Sequence, residues 1–232
     1  MTINTILAAS ESVSINDHRF VGQVLSRNQM VTVGEVATRI PFQFTFKPHS
    51  YLLYSANRTV LAAIRKADRT VEQVLNFGAT GWLNYIKYQG AMTSAQISSA
   101  TITGTTGATS VTLGTLPSVA SGTYMVRIGD FLQYGRSVYI ATADVIRGGG
   151  STITVPVHRP IAYDSYTGTT IPLVIGEYGL TRNIGGGDAY GQYVGVSFPI
   201  LLREYPTYTL IPMTNDSFIQ WNGNFTAIEN CL

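Results

Sequence analysis

Ile40-Pro41-Phe42-Gln43-Phe44-Thr45-Phe46 is the stretch that decides the fold class. Its apolar residues Ile40, Phe42, Phe44 and Phe46 alternate with Pro41, Gln43, Thr45 and Lys47. Period-two alternation buries one face and wets the other, which is the pattern of a strand. Pro41 has no N–H to give a ladder, so the strand starts there or runs along an edge. Upstream, the valine-rich Met30–Val36 is expected to pair with it through a long hairpin running from Val31 to Phe46. Downstream, a helix is predicted from about Ala56 to Phe77. Val60, Leu61, Ile64, Ala67, Val71, Val74 and Leu75 recur there at three- and four-residue spacing. Arg58, Arg65, Lys66, Arg69 and Glu72 fall mainly off that stripe, and Gly78 is placed to cap the end. A lone amphipathic helix needs a surface to bury against, and a sheet face supplies one.

Beyond the helix, Trp82 to Tyr88 alternates again, and Gly90 marks a break. From Thr101 to Leu113 the chain is small, polar and β-prone. Short strands are then expected at Met125–Ile128, Ser137–Ala143 and Ile153–Val157, with Gly or Pro between them. Short strands at even spacing suggest a small barrel or sandwich over 91–170. Gly195 to Leu232 returns to long strands, with Ile219, Trp221, Phe225 and Ala227 on one alternation face. That texture matches the opening region. The expected organisation is therefore a discontinuous domain, 1–90 with 171–232, interrupted by an inserted small β-barrel at 91–170. Two consecutive domains are the alternative.

The chain has 232 residues, enough to bury a real core. Hydrophobic residues make up 45% and charged ones only 12%, about half the usual charged share. Since burying charge between subunits is costly, such depletion suits a protein rich in interfaces, although a neutral monomer has the same composition. A formal net charge of +2 is far from that of a dedicated nucleic-acid binder. No apolar run reaches the length of a membrane-spanning helix. The first residues lack the basic start and apolar run of a signal peptide, and the single Cys231 forms no internal disulfide. Synthesis in the cytoplasm is expected, from where an assembled particle can later leave the cell.

No motif in the sequence carries chemistry. His18, His49 and His158 stand apart, with no metal-ligand spacing around them, and no cofactor or metal is expected. His158, at the expected end of a strand, is expected to make a loop hydrogen bond. Gly195-Val196-Ser197-Phe198-Pro199 lacks the second glycine of a nucleophile elbow. Gly148-Gly149-Gly150 and Gly185-Gly186-Gly187-Asp188 open no helix and carry no lysine, so they are taken as flexible turns. Asp130, Asp144 and Asp164 are scattered through turns, and only convergence in space could make two of them an acid/base pair. Asp68 and Glu72 fit a solvated helix face. No enzymatic activity is expected.

A strand hairpin, one sheet-packed helix, further strands and a closing strand together resemble the tail-tube-like domain of bacteriophage tails. The residues that carry the resemblance are Ile40-Pro41-Phe42-Gln43-Phe44-Thr45-Phe46, the helix 56–77 and Ile219-Gln220-Trp221-Asn222-Gly223-Asn224-Phe225. Val126-Arg127-Ile128-Gly129-Asp130-Phe131-Leu132-Gln133 and Val155-Pro156-Val157-His158-Arg159-Pro160 are similar to phage tail β-modules. The resemblance implies a mainly β fold, a β-sandwich or barrel of tail-tube type with one packed α-helix, plus the inserted small β-barrel. It also implies a virion protein of the distal tube or baseplate hub, with the chain itself as first partner in a ring, often six-fold. Other tail or baseplate proteins attach to such a ring, DNA passes through it unread as cargo, and no membrane is involved. Val31, Val33, Arg39 and Phe42 on the hairpin, with Arg58, Arg65, Lys66 and Arg69 on the helix, are the candidate interface. Two rivals stand beside it: a monomeric β-module binding carbohydrate or protein, and a β-domain hydrolase with a carboxylate pair.

Overall fold

The structure, a computed structural model, describes residues 3–17, 21–25, 31–35, 41–49, 52–67, 70–77, 84–182 and 192–230. Strand accounts for 45% and helix for 15%, so the chain is mainly β, with a curled half-barrel sheet. The first part runs α1 (Ile3–Ala8), β1 (Ser10–Asn16), β2 (Val21–Leu25), β3 (Val31–Glu35), β4 (Gln43–Pro48), β5 (Leu52–Leu53), α2 (Tyr54–Ala67) and β6 (Gln73–Asn76). A 3-10 turn (Asn84–Ile86) leads to α3 (Ser94–Ser99), β7 (Thr101–Thr103), β8 (Ser110–Gly114), β9 (Tyr124–Val126), β10 (Phe131–Tyr134) and β11 (Ser137–Ile140). Then come β12 (Val145–Ile146), β13 (Ile153–Pro156), β14 (Ile171–Pro172), β15 (Val174–Ile175), β16 (Leu180–Arg182) and β17 (Gln192–Val194). The chain closes with β18 (Ser197–Glu204), β19 (Thr207–Met213), β20 (Asp216–Asn222) and β21 (Phe225–Glu229).

The main sheet is antiparallel, in the order β1-β4-β21-β18-β6, and so draws strands from both ends of the chain. Phe42, Phe44 and Phe46 are buried at alternate positions, as the opening heptapeptide predicts. Phe198 meets Phe42 and Phe44 edge-on, with ring centroids 5.3 and 4.9 Å apart. Ile3, Ile6 and Leu7 of α1 and Val60, Leu61 and Ile64 of α2 pack into the same core. A second core lies between residues 88 and 175, where β13-β8-β7-β14 and β11-β10-β15 enclose Ile102, Val111, Leu113, Tyr134, Tyr139 and Val155.

Three expectations need correction. The helix ends at Ala67, not near Phe77; Val71 is half-exposed, and Val74 and Leu75 lie in β6. Glu72, past the helix end, bonds Arg136 and Asn230, both at 2.5 Å. Gly78, the expected cap, lies outside the described residues. Nor does the Val31-to-Phe46 hairpin form: β3 pairs with β2, because β4 already has β1 on one side and β21 on the other. Asn84–Ile86 is a 3-10 turn, not part of a strand, and the following amides of Tyr88 and Gln89 donate to carboxylates of Glu177 (2.6 Å) and Asp130 (2.9 Å) in place of a ladder.

Candidate assembly surfaces

A sheet edge presents unpaired N–H and C=O groups and is therefore a template for another strand. The main sheet has two edges, and they differ. At β6 the side chain of Asn4 from α1 stands in for a neighbouring strand: its amide donates to Val74 O (3.0 Å), and its carbonyl accepts from Asn76 N (2.8 Å). That edge is closed. Among the described residues β1 pairs only with β4, which leaves its outer edge without a strand partner, blunted by a bulge between Ser10 and Ser12 and by Glu11 bridging to Lys47 at 3.1 Å.

Among the described residues a second edge without a strand partner belongs to the smaller sheet β19-β20-β5. β19, Thr207-Tyr208-Thr209-Leu210-Ile211-Pro212-Met213, has no charge, and Leu210, Ile211 and Met213 are 43–45% exposed. Beside it α2 starts under a cap from Asp216, whose carboxylate accepts from Ser55 N (3.2 Å) and Ser55 Oγ (2.5 Å). That hydroxyl bond and neighbouring amides hold the Asp216 carboxyl below the usual aspartate range. Between α2 and β19 lies a groove of about 450 Å³, lined by Arg65, Tyr205, Thr207, Tyr208 and Leu210. Trp221 backs Tyr208, with ring centroids 5.3 Å apart.

The predicted interface residues fall apart into groups. Arg58, Arg65 and Lys66 are exposed on α2, and Arg65 reaches the groove. Val31 and Val33 lie on β3, opposite Leu25 and Gln23. Arg39 and Arg69 lie outside the described residues. Phe42 is 1% exposed and surrounded by Phe44, Phe131, His158 and Phe198, so it belongs to the core and not to an interface. His158 Nδ1 accepts from Ile140 N at 3.0 Å, the loop bond its position suggests. His49 N donates to Ala9 O. His18, Asp68, Gly185–Asp188 and Cys231 lie outside the described residues.

The three turn aspartates each hold local backbone. Asp130 accepts from Arg127 N and Gln89 N, Asp144 from Ile128 N, and Asp164 from Arg136 N and Tyr166 N. Burial pushes the Asp130 carboxyl up, its two amide bonds pull it back, and the nearby Glu177 adds to the rise. Burial likewise pushes the Tyr88 hydroxyl up to about 12. Among the described residues, no three His, Cys, Asp or Glu side chains gather as a metal site.

Sequence reasoning missed the polar junction between the cores. Arg159 donates to both carboxylate oxygens of Glu229 at 2.7 Å and to Val138 O at 2.8 Å, with its guanidinium near the Phe42 and Tyr139 rings. Gln133 of β10 donates to Ser197 O and accepts from Ser197 N and Thr181 Oγ1. Asn76 adds a bond to Ser197 Oγ at 2.8 Å. An isolated Arg, Glu or Gln gives no periodic signal, and its partner here is 64 to 70 residues away. The chain matches no model of a known protein family and no curated protein.

Proposed function

We propose that this chain is a structural subunit of a phage tail, closing a ring at the distal tube or baseplate hub and attaching neighbouring tail components. The observation that carries the proposal is the pair of dissimilar open edges, β1 on the curled main sheet and β19 on the smaller sheet. A ring needs a heterologous contact, in which two different surfaces of one subunit meet on successive copies. β1 with its Glu11–Lys47 pair, and β19 with its uncharged apolar face, are two such surfaces. The closed β6 edge limits the ways in which copies can add. In the finer architecture proposed, a tail-tube-type domain spans 1–90 and 171–232 with 91–170 inserted. The main sheet built from both chain ends and the separate core between 88 and 175 support that division. The ring would pass DNA without reading it and would reside in the virion.

The groove of Arg65, Tyr205 and Tyr208 favours a second reading, a monomeric module that binds carbohydrate or protein. Light scattering across concentration, with negative-stain imaging of the same sample, separates the two. Closed rings with a central hole support the tail subunit. A chain that stays monomeric at high concentration, and also when mixed with a purified tail tube, supports the binding module and ends the ring proposal.

A further inference from the structure

Asn222-Gly223 is the one asparagine–glycine pair in the sequence, and it stands where β20 hands over to β21. Those two strands belong to different sheets: β20 pairs with β19 and β5, β21 with β18 and β4. Gly223 and Asn224 are therefore a corner between sheets and not the turn of a hairpin, and no ladder ties the two arms together. Asn222, Gly223 and Asn224 are all exposed. Gly223 has φ +112°, which strains any residue with a Cβ, so the corner itself requires glycine after Asn222. A Cβ there would meet only Pro206 Cβ, at 3.7 Å, which leaves the corner uncovered.

Among the described residues, neither the Gly223 N–H nor the Asn222 side-chain amide makes a hydrogen bond. Other asparagine amides are held in place: Asn4 donates to Val74 O, Asn57 to Leu53 O, Asn76 to Ser197 Oγ and Asn230 to Glu72. Asn224 is the nearest comparison, exposed in the same corner. The residue after it is Phe225, whose ring is buried and stacked on Phe46 at 5.1 Å, and whose backbone pairs in β21. Asparagine is among the thermolabile residues, and exposed loop tips are where covalent change concentrates. Glycine as the next residue leaves the backbone nitrogen uncrowded, so that it can reach the asparagine side chain.

We infer that Asn222 is a site of spontaneous covalent modification, losing its side-chain amide through a cyclic imide with Gly223. The Gly223 nitrogen attacks Asn222 Cγ and a new C–N bond closes the imide. The Cγ–Nδ2 bond breaks, and ammonia leaves with the proton that the Gly223 nitrogen gives up. Water, the one co-reactant, then opens the imide at either carbonyl. Attack on Cγ restores the ordinary main chain and leaves an aspartate. Attack on the main-chain carbonyl leaves an isoaspartate, with the chain running through Cβ and Cγ. Both products add a negative charge to the corner. The second also adds a main-chain carbon between Trp221 and Phe225, whose rings pack 5.1 Å apart. The reaction needs neither a ring nor an occupied groove, so it stands apart from both readings of function.

The test ages the full folded chain in mildly alkaline buffer at physiological temperature. Trypsin then releases the fragment 204–232, which holds Asn222 and Asn224 together, because Arg203 is the last basic residue. Mass spectrometry with main-chain fragmentation locates the amide loss, and an isoaspartate-specific methyltransferase counts the isoaspartate. Asn222 is expected to lose its amide while Asn224 keeps its own, with both aspartate and isoaspartate formed. Replacing Gly223 would strain the corner, so the control variant is Asn222→Gln at the exposed position beside it. That chain should fold unchanged and form no isoaspartate in this fragment, since glutamine must close a larger and slower ring. A folded chain that keeps the Asn222 amide while the same chain in urea loses it shows that the corner shields the site, and overturns the inference. Undiminished isoaspartate in the Asn222→Gln chain places the reaction elsewhere and overturns it as well.

Discussion

Arg159 and Glu229 meet at the junction of the two cores in a two-pronged ion pair, both distances 2.7 Å, with side chains 3% and 0% exposed. Glu229 also accepts from Phe42 N at 3.2 Å, so one carboxylate ties a loop of the middle unit to two strands of the main sheet. Removing one partner strands the other charge in a dry place. Arg159→Met is therefore expected to lower the unfolding free energy by about 3–5 kcal/mol. The double variant Arg159→Met/Glu229→Gln keeps an acceptor for Phe42 N without the charge, and should recover much of that loss. Urea denaturation of the three chains decides it: a double variant no better than the single one removes the stranded charge as the explanation.

Asn4 closes the β6 edge with two hydrogen bonds, one given and one received. Asn4→Ala leaves Val74 O and Asn76 N without them. A loss of about 1–3 kcal/mol is expected, together with concentration-dependent association through the newly opened edge. Thermal unfolding and light scattering on the same samples measure both effects. A destabilised chain that stays monodisperse would show that the edge is protected by something other than Asn4.

For the ring proposal, the informative substitution is Ile211→Lys. Ile211 is 45% exposed in an uncharged edge strand, so a lysine there should change stability by less than about 0.5 kcal/mol. An edge lysine blocks strand addition, and rings should not form. Rings of normal appearance from Ile211→Lys chains would exclude β19 as the assembly edge.

Two aspartates give opposite pH dependences. The folded Asp130 carboxyl titrates above its unfolded value, chiefly through burial, so the folded state holds that proton more tightly. Its contribution falls as pH rises from the usual aspartate range through the raised value. The folded Asp216 carboxyl titrates below its unfolded value, chiefly through the Ser55 hydroxyl, so its contribution is present above the usual range and lost as pH falls through the depressed value. Denaturation from about pH 2 to pH 6 should show Asp130→Asn removing the first trend and Asp216→Asn the second. Unchanged slopes in both would mean that other groups govern acid stability.

The strand at Phe42–Phe46 was legible because three aromatics in alternation admit one face and one period. α2 was legible for the same reason at helical spacing, in Val60, Leu61 and Ile64. Its false extension had a physical cause: Val74 and Leu75 continue the three-to-four spacing, and a short apolar run looks alike in a helix and in a doubly buried strand. Past the helix, Val74 and Leu75 pair with Pro199 and Phe198 of β18, more than 120 residues along the chain. Pairing was equally invisible. Nothing in Val31–Glu35 says that its partner is Val21–Leu25, since register depends on which edges other strands have already taken. Of the candidate interface, the exposure of Arg58, Arg65 and Lys66 was readable from their off-stripe positions. Phe42 was misplaced because alternation tells which residues share a face, not whether that face is covered.

β21 sits at the middle of the main sheet, yet it is made after every strand it joins. During synthesis β4 and β18 have no bridge between them until Phe225–Glu229 emerges, and Arg159 waits for Glu229 just as long. The second core, drawn from residues 88 to 175, is synthesised in full well before that. Formation of the curled sheet is thus deferred to the last stage of translation. A ring built on that sheet cannot start from nascent chains, and truncated products lacking β21 would be barred from joining it.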